Sequence, residues 1–191
     1  MNTTRTYAFL CVILISSFSC RSIKETQTLK NCSYSFLSIS NVRVNNVSID
    51  NKQSLRDLQT TETLKISQAI MARKIPVDLT AHISVHNPNL RTATLHKINW
   101  KLLLKDKEVA DGVVIESYSI KPNETIEIPI AISSDIGSVL KIFSVKELMN
   151  MLFNLSSASI PEEAQLKIKP SIAIGRKTIQ SPAYFTVNIS K

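Results

Sequence analysis

The stretch Ile75-Pro76-Val77-Asp78-Leu79-Thr80-Ala81-His82-Ile83-Ser84-Val85 decides how the rest of the chain is read. Ile75, Val77, Leu79, Ala81, Ile83 and Val85 alternate without a break against Pro76, Asp78, Thr80, His82 and Ser84. A period of two sends successive side chains to opposite faces of an extended backbone, so this is a strand with one buried and one wet face. It stops at Asn87-Pro88-Asn89, where proline withholds a ladder donor and asparagine side chains can bond the turn backbone.

The same pattern repeats on both sides. Leu95 to Lys105 carries Ile98, Trp100, Leu102 and Leu104 on one parity, and across Lys105-Asp106-Lys107-Glu108 a partner strand from Val109 to Tyr118 completes a hairpin. Pro122-Asn123-Glu124 marks a turn before Ile126, Ile128, Ile130 and Ile132, another alternating strand, in which Pro129 on the opposite face points to an edge or a bulge. Further strands are expected over Tyr34–Val44, Val47–Asp50, Leu64–Ala72, Ala164–Ile174 and Lys177–Ile189. In the first of these, Tyr34 and Phe36 share one parity while Leu37 and Ile39 share the other, which fits either a bulge or a strand buried on both faces. One segment keeps a different period. From Ser144 to Asn154, Val145, Leu148, Met149, Leu152 and Phe153 follow helical spacing, and Ser144 with Glu147 forms a capping-box signature. Ile136 to Phe143 adds a preceding turn, and Pro161 closes the region. The sum is a two-layer, all-β antiparallel sandwich of about seven or eight strands with one inserted amphipathic helix over roughly 144–154.

The N-terminus reads as an address. Met1 to Thr6 carries one cation, Arg5, and Tyr7 to Phe18 is apolar, a signal-peptide layout over residues 1–19. Twelve helical residues span roughly 18 Å, short of a hydrocarbon core of about 30 Å, so a permanent membrane span is the weaker reading. Ser17-Phe18-Ser19-Cys20 resembles a bacterial lipobox, which makes Cys20 the lipidated first residue of the mature chain; the alternative is secretory cleavage that leaves Cys20 unmodified. Residues 20–31 then form a lipidated N-terminus and flexible tether of roughly 20 Å, and residues 32–191 the folded domain. Cys11 leaves with the signal, Cys20 carries lipid, and Cys32 remains as a lone thiol, expected to be a small apolar filler rather than a nucleophile. The expected location is a bacterial cell envelope, anchored by lipid at the outer membrane and facing the periplasm or the surface.

With 191 residues, 43% apolar and 20% charged, the chain supports one packed domain and is neither disordered nor low in complexity. Its three glycines, Gly112, Gly137 and Gly175, lie too far apart for a phosphate-cradling loop. The three histidines do not suggest a metal: His82 and His86 are about 13 Å apart along one strand, and His96 could at most approach His86 to give two ligands where zinc takes three or four. No serine sits in a nucleophile elbow, and Glu162 and Glu163 read as solvated loop acids. No catalytic residue, cofactor or small-molecule substrate is expected. The net charge of +8, from 23 basic and 15 acidic residues, is dispersed and lacks interleaved aromatics, so nucleic acid is not an expected partner; attraction to anionic lipid or polymer, or to an envelope protein, fits the address. Asn-x-Ser/Thr triplets begin at Asn2, Asn31, Asn46, Asn123, Asn154 and Asn188 and follow from the abundance of those residues. The Met149–Met151 turn is read as core rather than as a partner groove.

The order of parts resembles the late embryogenesis abundant group two proteins and the related water-stress WHy domain. It is carried by the strand into Val85-His86-Asn87-Pro88-Asn89, by Leu95–Leu104, Glu108–Ser117, Pro122 and Ile126–Ile132, and by two last strands, Leu166–Ile174 and Ile179–Ile189. It covers Tyr34 to Ile189, with Asn87-Pro88-Asn89 as its compact turn motif. The resemblance implies an immunoglobulin- or fibronectin-III-like sandwich with no established enzymatic activity and a stress or desiccation role; the helix at 144–154 is longer than a minimal domain of that type carries. The function expected is therefore a non-enzymatic, lipid-anchored binding or protective module. The alternative is an accessory subunit of an envelope or surface adhesin complex, docking through the helix and the Asn87–Thr94 loop.

Overall fold

The computed structural model describes residues 28–155, 164–174 and 177–189. In chain order these form β1 (Ser33–Val44), β2 (Val47–Ser48), helix α1 (Thr60–Met71), β3 (Pro76–His86), β4 (Ala93–Leu95), β5 (Lys97–Leu104), β6 (Lys107–Val114), β7 (Tyr118–Ile120), β8 (Thr125–Asp135), helix α2 (Val145–Leu155), β9 (Ala164–Ile174), β10 (Lys177–Gln180), β11 (Phe185–Thr186) and β12 (Asn188–Ile189). Short 3-10 turns occupy Leu55–Asp57 and Gly137–Lys141. One five-stranded sheet has the order β12-β1-β3-β8 with β2 on β1; the other has the order β10-β9-β5-β6 with β11 on β9; β4 and β7 form a separate ribbon. Among the described residues all pairings are antiparallel except β1 with β12. The fold is an all-β antiparallel sandwich.

The alternation in β3 explains the architecture. Val77, Leu79, Ala81, Ile83 and Val85 are buried while the residues between them are half-exposed. Ile128, Ile130 and Ile132 of β8 stand beside them in register, and Ile98, Trp100 and Leu104 of β5 with Leu166 and Ile168 of β9 supply the facing layer. Burying one such side chain contributes about 1.5–3 kcal/mol, which is why a two-faced strand pattern collapses into two layers. β8 ends its sheet, with Pro129 opposite His82, so the proline lies on an edge strand.

The turns are set by residues in the left-handed region. Asn45 and Asn46 (φ 48° and 62°) join β1 to β2, and Lys105 and Asp106 (φ 47° and 61°) join β5 to β6. Positive φ at both central residues matches the right-handed strand twist and gives tight two-residue hairpins. Helix α2 starts with the capping box: the Ser144 backbone N–H and hydroxyl donate to Glu147 Oε2 at 2.7 Å each, and the Glu147 N–H donates to Ser144 Oγ at 3.3 Å. Its buried face, Leu148, Met149, Leu152, Phe153 and Leu155, packs into the core at the end of the sandwich away from Asn87.

Several boundaries differ from the expectations. Leu64–Ala72, expected as a strand, lies in helix α1 and its cap: Ile66 and Ala69 bury one face, and the Gln59 N–H donates to Glu62 Oε2 at its start. The helix ends in a Schellman arrangement, with Arg73 at φ 53°, Lys74 N–H bonded to the Ala69 carbonyl and Arg73 N–H to the Ile70 carbonyl. The partner strand expected to run to Tyr118 stops at Val114, and Tyr118 starts β7, which leaves to pair with β4. β1 contains a bulge, because its register with β3 shifts between Phe36 and Ser38 and puts Leu37 on the surface. Lys177–Ile189 divides into β10, β11 and β12. The expected tether also ends earlier than Asn31, since residues 28–31 form a helical turn with Leu29 buried. Pro161 and the Glu162-Glu163 pair lie outside the described residues.

Two glycines mark close approaches. A Cβ on Gly137 would stand 1.9 Å from the Arg73 carbonyl oxygen, and one on Gly112 would stand 2.5 Å from Trp100 Cζ2. A carbonyl at the end of a helix cannot step aside, whereas an indole can tilt. Gly137→Ala should therefore destabilise by about 3 kcal/mol and Gly112→Ala by nearer about 1 kcal/mol, read as midpoint shifts in urea at unchanged slope.

Candidate functional site

The most constrained polar cluster gathers around Asn87 at the end of β3. Asn87 is completely buried. Its side-chain Nδ2 donates to the carbonyls of Arg91 (2.8 Å), Ile120 (2.9 Å) and Lys121 (3.1 Å). Its Oδ1 accepts from the Asn89 backbone N–H at 3.1 Å, which makes the turn over Pro88, and from Asn89 Nδ2 at 2.7 Å. Its own backbone N–H donates to the Glu124 carbonyl, and its carbonyl accepts from the Asn123 N–H. Asn89 extends the cluster to the start of the domain: its Nδ2 donates to the Thr28 carbonyl at 2.9 Å, and its Oδ1 accepts from Asn31 Nδ2 at 3.1 Å. Asn87, Pro88 and Asn89 thus sit in one turn at which three loops meet. Cys20, the expected lipidation residue, lies outside the described residues.

Cys32 packs against this cluster, with its Sγ 3.4 Å from the Thr28 carbonyl and 3.9 Å from Asn87 Oδ1. Burial pushes its thiol pKa up to about 11, so it stays protonated and a poor nucleophile at neutral pH. Burial first, and the neighbouring Cys32 second, also raise the Tyr34 phenol, whose hydroxyl donates to the Leu29 carbonyl.

The other candidates are spread over the molecule. His82 bridges Ser40 Oγ (2.8 Å) and Glu127 Oε1 (2.6 Å) on the outer face of the first sheet. His86 bonds Thr125 Oγ1 at 3.0 Å, whereas His96, just before β5 in the second sheet, bonds Ser117 Oγ at 2.8 Å. The two are not brought to a shared site. Lys101 and Lys169 stand over the Tyr184 ring at 5.6 and 5.4 Å, and Lys101 pairs with Glu108. Lys101 also lies directly opposite Lys167 in the β5–β9 ladder. Between the sheets an apolar cavity of about 60 Å³ is lined by Phe36, Val77, Leu102, Met151, Leu155 and their neighbours. Its lining among the described residues is apolar throughout, so it offers no polar group to orient a ligand. Met149 and Leu152 are buried in the core beside it.

No family model matches the sequence, and no curated protein matches it. Among solved structures the chain is similar to a protein from Archaeoglobus fulgidus (16% identity, 82% of this chain and 100% of that one, TM-score 0.36). A candidate late embryogenesis abundant protein solved in solution shows 13% identity over 97% of this chain and 87% of that one, with a TM-score of 0.37. A protein from Arabidopsis thaliana shows 18% identity over 62% of this chain and 75% of that one, with a TM-score of 0.35. At such identities and scores neither activity nor partner passes from one chain to another, and the sandwich rests on the strand pairing given above.

Two substitutions separate the roles of the Asn87 amide. Asn87→Ala strands three carbonyls and the Asn89 donors and should cost about 3 kcal/mol, lowering Tm by roughly 6–12 °C. Asn87→Asp keeps the shape but places an ionisable acid among carbonyl oxygens, so its folded pKa lies above the unfolded value of about 3.9. That variant should be most stable below the unfolded value and lose stability as pH rises through the folded one, a dependence absent from Asn87→Ala. Identical pH profiles for the two variants in thermal melts would refute this account of the cluster.

Proposed function

We propose that the protein is a non-enzymatic, lipid-anchored protein of a bacterial cell envelope, whose sandwich is a binding or protective module resembling the late embryogenesis abundant group two and WHy domains. The observation that carries the reading is the run from Arg5 through the apolar Tyr7–Phe18 to Ser17-Phe18-Ser19-Cys20, which ends eight residues before the first described residue, Thr28. An anchored cysteine there holds the domain within about 28 Å of a bilayer, at 3.3–3.6 Å per extended residue. The work of the sandwich is then noncovalent. Its strands bury their apolar faces against each other, and its outer surface and loops meet lipid, polymer or protein.

The resemblance to the stress-related family supports a role in tolerance of drying or osmotic shock. The strand order from Val85 to Ile132 and the turn at Asn87-Pro88-Asn89 carry that resemblance, and the basic balance of 23 against 15 residues favours anionic partners.

Cells fed radiolabelled fatty acid should label the wild-type protein and leave Cys20→Ala unlabelled and released from the membrane fraction. Label that persists in Cys20→Ala would reject the anchor. A deletion strain should survive drying less well than its parent, with survival restored by the wild-type gene; equal survival would reject the protective role.

A further inference from the structure

Three loops meet at the Asn87 end of the sandwich, and their exposed residues include a leucine and three cations. Leu90, at the tip of the loop that Asn87 braces, is 96% exposed, and Ile115, after β6, is 73% exposed. Lys30, Arg91 and Lys121 are exposed around the same hydrogen-bonded cluster, since Asn87 holds the Arg91 and Lys121 carbonyls and Asn89 holds residues 28 and 31. Two carboxylates share these loops, keep their charge and offset part of that of the cations: Glu124 accepts from the Lys121 N–H, and Glu116 accepts from the Tyr118 hydroxyl. A lone exposed leucine is ordinary on a protein surface. A leucine at the tip of a braced loop, next to Arg91 and beside the point where the chain enters the domain, is a different arrangement.

We infer that this end of the sandwich docks on an anionic bilayer, with Leu90 entering the interface and Lys30, Arg91 and Lys121 contacting lipid phosphates. The inference builds on the anchored reading, which places Cys20 eight residues from Thr28 and so sets this end, rather than the opposite one, against the membrane. The opposite end carries the Lys105-Asp106 turn, with Lys105 over the Phe143 ring at 4.2 Å. One acyl anchor binds membranes only marginally, and a basic patch is a common second signal. Each cation near an anionic surface strengthens binding by roughly fivefold, and salt screens that attraction. The bracing by Asn87 matters because a tip already held in one conformation loses little freedom on docking.

The test uses the full-length chain recovered from membranes in detergent and reconstituted into phosphatidylethanolamine vesicles with or without phosphatidylglycerol. An environment-sensitive fluorescent amino acid is incorporated genetically at position 90 or, at the far end, at position 106, so that no cysteine carries the probe. Emission from position 90 should shift to the blue and be quenched by brominated acyl chains in phosphatidylglycerol vesicles, while position 106 stays in water. Combining Lys30→Glu, Arg91→Glu and Lys121→Glu should abolish the shift. A wet position 90 in both vesicles, or a crosslink from position 90 to one dominant protein in cells, would overturn the inference. Sedimentation of the same samples reads the anchor separately. Chain that sediments with neutral vesicles while position 90 stays wet refutes the docking tip and leaves the anchor standing. Chain whose position 90 enters phosphatidylglycerol vesicles but which fails to sediment with neutral ones refutes the anchor and leaves the tip standing.

Discussion

Buried beyond the reach of water, the Asn87 amide must satisfy its donors and its acceptor from protein groups alone, and two of the groups it finds, the Ile120 and Lys121 carbonyls, lie more than thirty residues away in sequence. That demand fixes the geometry at one end of the sandwich. The Ile120 and Lys121 carbonyls hold the ribbon of β4 and β7 to the end of β3, the Glu124 and Asn123 backbone holds the start of β8, and Asn89 passes the constraint on to residues 28 and 31. A carboxylate in the same place has acceptors and no donors, and a hydroxyl is too short to reach three carbonyls. Only a neutral primary amide has the right inventory.

The other end is held by different physics. Helix α2, the 3-10 turn at Gly137–Lys141 and the Arg73 carbonyl close it mainly through shape and apolar contact. Apolar packing is non-directional, so similar volumes can replace one another there at modest cost. A small apolar void beside Met151 and Leu155 is what such packing leaves. The molecule therefore has one end organised around a single buried amide and one closed by apolar packing, with Gly137 and the Asp135 carboxylate fixing its turn.

How much of this could be read in advance follows from the same division. The strands at Pro76–His86 and Thr125–Asp135 were legible because alternation is a local signal, and the capping box at Ser144 was legible because its two residues are three apart. Helix α1 was not: its buried positions are few, Ile66 and Ala69, and it ends on Arg73, where a glycine would have signalled the left-handed stop. The break between Val114 and Tyr118 was hidden because Ile115 continues an apolar run while remaining on the surface. At the candidate site, Asn87-Pro88-Asn89 announces a turn, since proline and asparagine act on their own backbone. Its partners at Thr28, Ile120 and Lys121 come from tertiary folding and leave no mark in the local sequence. Nor does sequence say that Leu90 is outside, since an apolar residue in a loop is read by default as one that packs.

Pro129 carries a last consequence. β8 is the terminal strand of its sheet, paired on one side with β3. An unpaired strand flank is an invitation to a neighbouring molecule, which can extend the ladder hydrogen bond by hydrogen bond and seed an insoluble stack. Proline has no amide hydrogen to offer, and its ring keeps an incoming backbone at a distance. Placed midway along eleven residues of isoleucine-rich sequence, it interrupts any continuous template along that edge.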